Sequence, residues 1–291
     1  MTTEKYYKVA GHVFCVKGPE GIMREGYAPF EIAKPSEQVL FTMDVSGGDA
    51  DMSDFVSELT QEDEGQVIEA GRKGAMPVFC FGFGGTMTGT MTCSADYRSV
   101  ELKVKKTISR RLVVSTVDNA LMVLYALATA NKDTLLMHAS VTVREGKGYL
   151  FIAPSGTGKS THSQLWLKCF EGTHLLNDDN PVIRRNSRAG NRFYVYGSPW
   201  SGKTPCYINE EYPVGAIVKI YQAPYNKIVR LEGIHAYIAL TSSVSGKRWD
   251  KTLADGLHNT LNSAAQEIGL FRLDCLPDID AAKTCWKGVN E

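Results

Sequence analysis

The sequence predicts an α/β protein in two parts, a β-rich region over residues 1–115 and a mixed-sheet domain over residues 116–291. Three observations predict it. The first 115 residues are dense in short, alternating and β-branched runs. From Ser115 onward, apolar residues recur at helical spacing. Further on, "LLMHASVTV" and "GYLFIA" are separated only by "REGK", and so short a connection joins antiparallel neighbours, whereas parallel ones need a crossover of roughly a dozen residues or more.

Taken in order, "YYKVAGHVFCVK", "PVFCFGFG", "TMTGTMTCSADY" and "SVELKVKK" read as strands. The acidic run "DADMSDFVSELTQEDEG" between them reads as a solvated helix or loop. "GFGGTMTG" at 82–89 lacks the spacing of a dinucleotide fingerprint and reads as a strand turn. "STVDNALMVLYALATA" combines a Ser-x-x-Asp start with helical periodicity, so a helix opens the second part and the boundary is expected near residue 115. Beyond the Gly-rich loop, "VGAIVKIYQ" reads as a strand and "GIHAYIALTSS" as a helix. "WDKTLADGLHNTLNSAAQEI" is a longer helix with Leu253, Leu257 and Leu261 on one stripe, and a final helix is expected to begin at Pro277.

Composition narrows the classes. With 43% hydrophobic and 22% charged residues the chain is that of an ordinary folded protein. Basic and acidic residues balance at 32 each, so no global field gathers nucleic acid or an anionic membrane. The N-terminal residues have no apolar signal-peptide core, and the apolar run "LMVLYALATA" is shorter than the roughly 20 residues that span a bilayer. A cytoplasmic protein without nucleic-acid or membrane partners is expected. Cysteines 15, 80, 93, 169, 206, 275 and 285 are scattered and never spaced C-x-x-C, so they read as reduced, mostly buried thiols.

The chemistry concentrates after "GYLFIA". "APSGTGKST" at 153–161 nearly spells the phosphate-binding pattern G-x-x-x-x-G-K-[ST], with Ala153 in place of the first glycine. A buried strand, a Gly-rich turn and a helix N-terminus converge backbone N–H groups and the helix dipole on an anion. Ser155, Gly156, Thr157, Gly158 and Thr161 complete such a cradle, Lys159 reaches the outer phosphates of a nucleotide, and Ser160 can ligate magnesium. Ala153 removes freedom at the strand exit and adds one methyl group. "HLLNDDNPVI" then places Asp178 and Asp179 19 and 20 residues past Lys159 at the end of an apolar run. Beside a phosphate loop, the pair offers one carboxylate for a metal and one for a proton; by itself, Asp-Asp-Asn-Pro is a turn. In "YGSPWSGKTP", Trp200 and Lys203 are read two ways, as contacts to a phosphate or acidic substrate and as parts of a structural turn.

Taken together, "MHAS", the hairpin, "SGTGKST" and "NDDNPV" resemble the catalytic domain of HPr kinase/phosphorylase, whose fold is related to phosphoenolpyruvate carboxykinase. "YGSPWSGK" and "RLDCLPDIDAA" resemble the smaller HPr-kinase-like proteins encoded beside peptide-modification and cofactor-biosynthesis genes. The resemblance is strong over residues 134–205, weak onward to 286 and absent from the first 115. It implies a mixed-sheet P-loop kinase domain using ATP and magnesium. Lys159 and the loop amides would hold the β-phosphate, Ser160 and Asp179 the magnesium, and Asp178 would take the proton of a substrate hydroxyl. His138 falls on the family's active-site histidine. The glutamate-arginine-glycine stretch tied to the phosphorylase reaction is missing, so the resemblance does not extend to dephosphorylation. HPr kinases assemble as hexamers, which implies a homo-oligomer.

The expectation is a kinase transferring the γ-phosphoryl group of ATP to a hydroxyl, serine foremost, on a small protein, peptide or metabolite. Two alternatives stand beside it: a small-molecule kinase of the parallel-sheet type, and a non-catalytic nucleotide-sensing module.

Overall fold

The computed structural model describes residues 2–187, 190–202 and 204–291. Lys203, a substrate candidate by sequence, lies outside the described residues. The chain divides into two compact units, Met1–Ala128 and Thr129–Glu291.

The first unit holds β1 (Thr2–Val9), β2 (His12–Pro19), β3 (Glu31–Ile32), β4 (Thr42–Gly47), β5 (Phe55–Asp63), β6 (Gln66–Lys73), β7 (Met76–Phe83), β8 (Thr86–Cys93), β9 (Ser99–Val104) and the helix α1 (Arg110–Thr129). The strands form one sheet in the order β3-β1-β2-β4-β9-β8-β7-β6-β5. Only β4 pairs in parallel, with β2 on one side and β9 on the other. Phe14 and Phe41 stack with ring centroids 4.9 Å apart.

Four sequence expectations change here. The acidic run at 49–65 is loop only as far as Asp54: Phe55–Asp63 is β5, an edge strand of this sheet antiparallel to β6, with every residue after Phe55 exposed. An edge strand faces water and tolerates, indeed exploits, the charges that made the segment read as solvated. The helix begins at Arg110, five residues before Ser115, and Ser109 rather than Ser115 stands at its start, with Leu112 N donating to Ser109 Oγ. Asp118 is no capping partner; it is buried and accepts from Tyr27 Oη at 3.0 Å and from Arg24. Because Tyr125 Oη also donates to Val9 O and Thr116 Oγ1 to Thr88 Oγ1, α1 belongs to the first unit. The division therefore falls at Ala128/Thr129, past the boundary expected near 115.

The fourth change concerns length. By length and composition, α1 qualifies to cross a membrane. Its apolar stripe, Val117, Ala120, Leu121, Leu124 and Tyr125, is buried within this unit.

The second unit holds β10 (Thr134–Leu136), β11 (Ala139–Arg144), β12 (Lys147–Ile152), α2 (Lys159–Cys169), β13 (His174–Asn177), β14 (Val182–Asn186), β15 (Arg192–Tyr196), β16 (Glu211–Gln222), β17 (Lys227–Leu231), α3 (Gly233–Thr241), α4 (Lys251–Glu267), β18 (Leu270–Cys275) and α5 (Ile279–Asn290). Its sheet is mixed, as the "REGK" connection predicts. β12 is antiparallel to β11 and parallel to β16, and β16 is parallel to β18.

Alternate residues of β12 serve opposite faces, the period of two of a strand buried on both sides. Leu150 and Ile152 join the core formed with Leu240, Leu257 and Leu261 of α3 and α4. Tyr149 and Phe151 join Trp166 of α2 with Ala281 and Cys285 of α5. The leucine stripe of α4 is buried as expected. The last helix starts at Ile279 rather than Pro277, because the Asp278 carboxylate accepts from Ala281 N and caps it. All seven cysteines are thiols outside any disulfide, and all but Cys169 are buried.

Candidate active site

β12 ends at Ile152 and the chain turns through 153–158 into α2. Gly156 and Gly158 take φ of +74° and +118°, angles an L side chain resists. Gly158 is the N-cap of α2, so the loop delivers free N–H groups at a helix start. Ala153 stays out of positive φ, and its carbonyl accepts from Lys159 Nζ at 3.0 Å. The alanine therefore fits where the pattern has glycine. Ser155, Gly156, Ser160 and Thr161 are exposed around this turn, while Lys159 is 8% exposed.

Lys159 Nζ lies 2.8 Å from His138 Nε2, and His138 Nδ1 lies 3.1 Å from Asp179 Oδ1. An ammonium only donates, so Nε2 must accept and the ring proton sits on Nδ1, directed at Asp179. His138 thus links the loop lysine to the Asp179 carboxylate. Asp179 Oδ2 accepts from Asn180 Nδ2 at 2.8 Å.

Asp178 points elsewhere and is 6% exposed. Its Oδ1 accepts from Ser140 Oγ at 2.8 Å; among the described residues no hydrogen bond reaches Oδ2. Oδ2 is not one of the fully buried atoms left without a partner, so it stays open to a cation or a hydroxyl donor from outside. Burial first, and the Asp178 charge second, push the Cys206 thiol up to about 11, which keeps it protonated and out of the chemistry.

The aspartate turn is held rigidly. Asn177 Oδ1 accepts from Asp179 N at 2.9 Å, while its amide donates to Ser198 Oγ at 3.1 Å and to Trp200 O at 3.2 Å. Ala139 N donates to Asp179 O, tying the turn to β11. A Cβ on Gly202 would lie 3.2 Å from Asp179 Cβ, a tight contact that would press on the aspartate turn. Trp200 is 2% exposed, and its carbonyl and amide support this turn. Of its two sequence readings, burial favours the structural one.

A pocket of about 550 Å³ opens beside the loop, lined by Gly156, Thr157, Gly158, His162 and Leu165 on one side and by Ile220, Gln222, Cys275 and Pro277 on the other. Gln222 Nε2 donates to Thr157 O at 3.2 Å. Burial pulls the His162 imidazole down to about 4, and Trp166 Nε1 donates to its Nε2 at 3.1 Å, so this ring is a neutral acceptor.

Magnesium in phosphoryl-transfer sites takes one or two carboxylates plus substrate oxygens rather than an all-protein cage. Among the described residues no group of three or more His, Cys, Asp and Glu is placed to hold a metal ion. The exposed Ser160 hydroxyl and the part-exposed Asp179 carboxylate are of the right hard-oxygen type.

The structure brings His138, Lys159, Asp178 and Asp179 together. Sequence reasoning missed Ser140, Asn177, Ser198 and Gln222. A polar residue inside an apolar strand, as in "MHASV", was the available signal for Ser140.

Among curated proteins none matches the chain. A family model described as ScmC, SynChlorMet cassette protein ScmC, matches residues 100–270, which include the loop, the histidine and both aspartates. That span exceeds half of the 291 residues, and the chain belongs to the ScmC family of SynChlorMet cassette proteins.

Proposed function

We propose that the second unit is a kinase of the HPr kinase/phosphoenolpyruvate carboxykinase type, transferring the γ-phosphoryl group of ATP to a hydroxyl of a small protein, peptide or metabolite. The observation that carries the reading is the chain from Lys159 through His138 to Asp179, with the partnerless Oδ2 of Asp178 beside it. A fortuitous glycine loop has no reason to be wired to a carboxylate pair. The antiparallel pairing of β11 with β12 speaks against a small-molecule kinase of the parallel-sheet type.

In this reading the amides of 155–161 and Lys159 bind the phosphates. Lys159 exchanges its carbonyl and imidazole partners for phosphate oxygens, with the ammonium acting as a point charge in a site of low dielectric. Asp178 Oδ2 accepts the proton of the acceptor hydroxyl as that oxygen bonds to the γ-phosphorus and the bond to the β–γ bridging oxygen breaks, leaving ADP. Ser160 and Asp179 would hold magnesium, which supplies charge neutralisation at the phosphates. The pocket beside Gly156–Gly158 takes the rest of the nucleotide.

The test separates the aspartates. Asp178→Asn should keep Mg–ATP affinity in calorimetry while phosphoryl release to water or acceptor falls about 10²–10⁴-fold. Asp179→Asn should weaken the magnesium-dependent part of binding. The inverse pattern would exchange the roles. ATP binding without turnover in the unaltered protein would favour the nucleotide-sensing module.

A further inference from the structure

Two buried hydroxyls, one on α2 and one on β11, form a line behind Asp178. Ser163 Oγ of α2 lies 2.6 Å from Ser140 Oγ of β11, and Ser140 Oγ lies 2.8 Å from Asp178 Oδ1, just past β13. Both serines are 0% exposed and Asp178 6%. The direction of the line follows from hydroxyl chemistry. The carboxylate can only accept, so Ser140 gives it its single proton; Ser163 must then donate to Ser140. Each hydroxyl polarises the next toward the carboxylate, and such chains strengthen cooperatively away from water.

We infer that Ser140 and Ser163 position Asp178: they fix Oδ1, leave Oδ2 as the oxygen that meets the acceptor hydroxyl, and tie that oxygen to the helix that begins at the phosphate loop. Ser163 lies one turn after Lys159 on α2, so the two side chains project from the same side of the helix. One rigid element thereby sets both the phosphate-contacting lysine and, through two hydroxyls, the acceptor-contacting carboxylate. Preorganised groups of this kind act through geometry, and displacement by about 1 Å can cost about 100-fold in rate. A buried serine pair kept only for packing would have no reason to run to a carboxylate whose other oxygen stays unpartnered.

The inference rests on the kinase reading, and the experiment separates their failures. Mg–ATP is the probe, with water as acceptor, inorganic phosphate release as the rate and calorimetry as the affinity. Ser140→Ala should lower kcat between about 10- and 100-fold with Mg–ATP affinity unchanged. In an Asp178→Asn background the same change should have no further effect on kcat, because a positioning residue has nothing left to position. Ser163→Ala, at the far end of the line, should give a smaller fall of the same kind, and it serves if Ser140→Ala fails to fold. Wild-type kcat in both serine variants, an effect that persists in the Asp178→Asn background, or a loss of affinity in place of kcat would overturn the inference alone. If Asp178→Asn itself turns over like the unaltered protein, Asp178 is not the base and this inference falls while the kinase reading stands; if the unaltered protein binds Mg–ATP without turnover, the kinase reading falls and this inference with it.

Discussion

The turn at Gly84–Gly85 in the first unit and the loop at Gly156–Gly158 in the second are built from the same residue type, and each comes after an apolar strand. Gly84 and Gly85 have φ of +56° and +76° and join β7 to β8, with Phe83 opposite Thr86, as the two-residue hairpin that matches strand twist. Gly156 and Gly158 have φ of +74° and +118° and open onto a helix. Glycine supplies only backbone freedom. The next element sets the geometry: a return strand makes a hairpin, while a helix start with Lys-Ser turns backbone N–H groups toward the loop.

The contrast extends to the buried polar groups. In the first unit Asp118 with Tyr27 and Thr116 with Thr88 close hydrogen bonds that hold α1 in place within that unit. In the second, Lys159, Asp178, Asn177 and Ser140 are buried around one turn, and one carboxylate oxygen stays without a partner among the described residues. Buried polarity locks the first unit and equips the second.

The largest expected effect that sharpens this contrast is one of pH. The four tryptophans, Trp166, Trp200, Trp249 and Trp286, all lie in the second unit, so their fluorescence reports on that unit alone. His162 falls from 6.5 to about 4 on burial. A folded value below the unfolded one means that the unfolded chain takes up the proton first as pH falls. The contribution of neutral His162 is therefore full above 6.5 and is lost progressively down to about 4, about 3 kcal/mol over that interval. Urea unfolding monitored by fluorescence should show that loss, and His162→Gln, which keeps an acceptor for Trp166, should remove most of the slope. An unchanged slope in the variant would assign it to other groups.

A smaller effect tests the two glycine turns against each other. Gly85→Ala should destabilise the first unit by about 1–2 kcal/mol, because its φ is left-handed, and leave Mg–ATP affinity unchanged. Gly158→Ala carries a comparable strain at φ +118° and should weaken Mg–ATP binding at least about 10-fold by misdirecting the helix-start amides. Equal effects of the two changes on binding would erase the distinction.

The sequence showed the loop, Lys159, Asp178 and Asp179 because these residue types stand at the fixed local spacing of a phosphate-binding pattern. It showed the mixed sheet because a four-residue connection leaves one pairing direction. What it hid was tertiary. The Ser-x-x-Asp pattern at Ser115 imitates a helix start, but the partner of Asp118 is Tyr27, 91 residues earlier. The acidic run read as solvated helix or loop becomes, from Phe55 to Asp63, a solvated strand, since exposure says nothing of backbone geometry. Ser140 and Ser163 look like any small residues until β11, α2 and the aspartate turn meet.

The central claim is that the loop of the second unit is a nucleotide site, and calorimetric titration of Mg–ATP into the Lys159→Ala variant tests it most directly. Loss of the ammonium from among phosphate oxygens should weaken binding by about 100-fold or more, with tryptophan fluorescence showing the second unit still folded. An affinity equal to that of the unaltered protein would contradict the account.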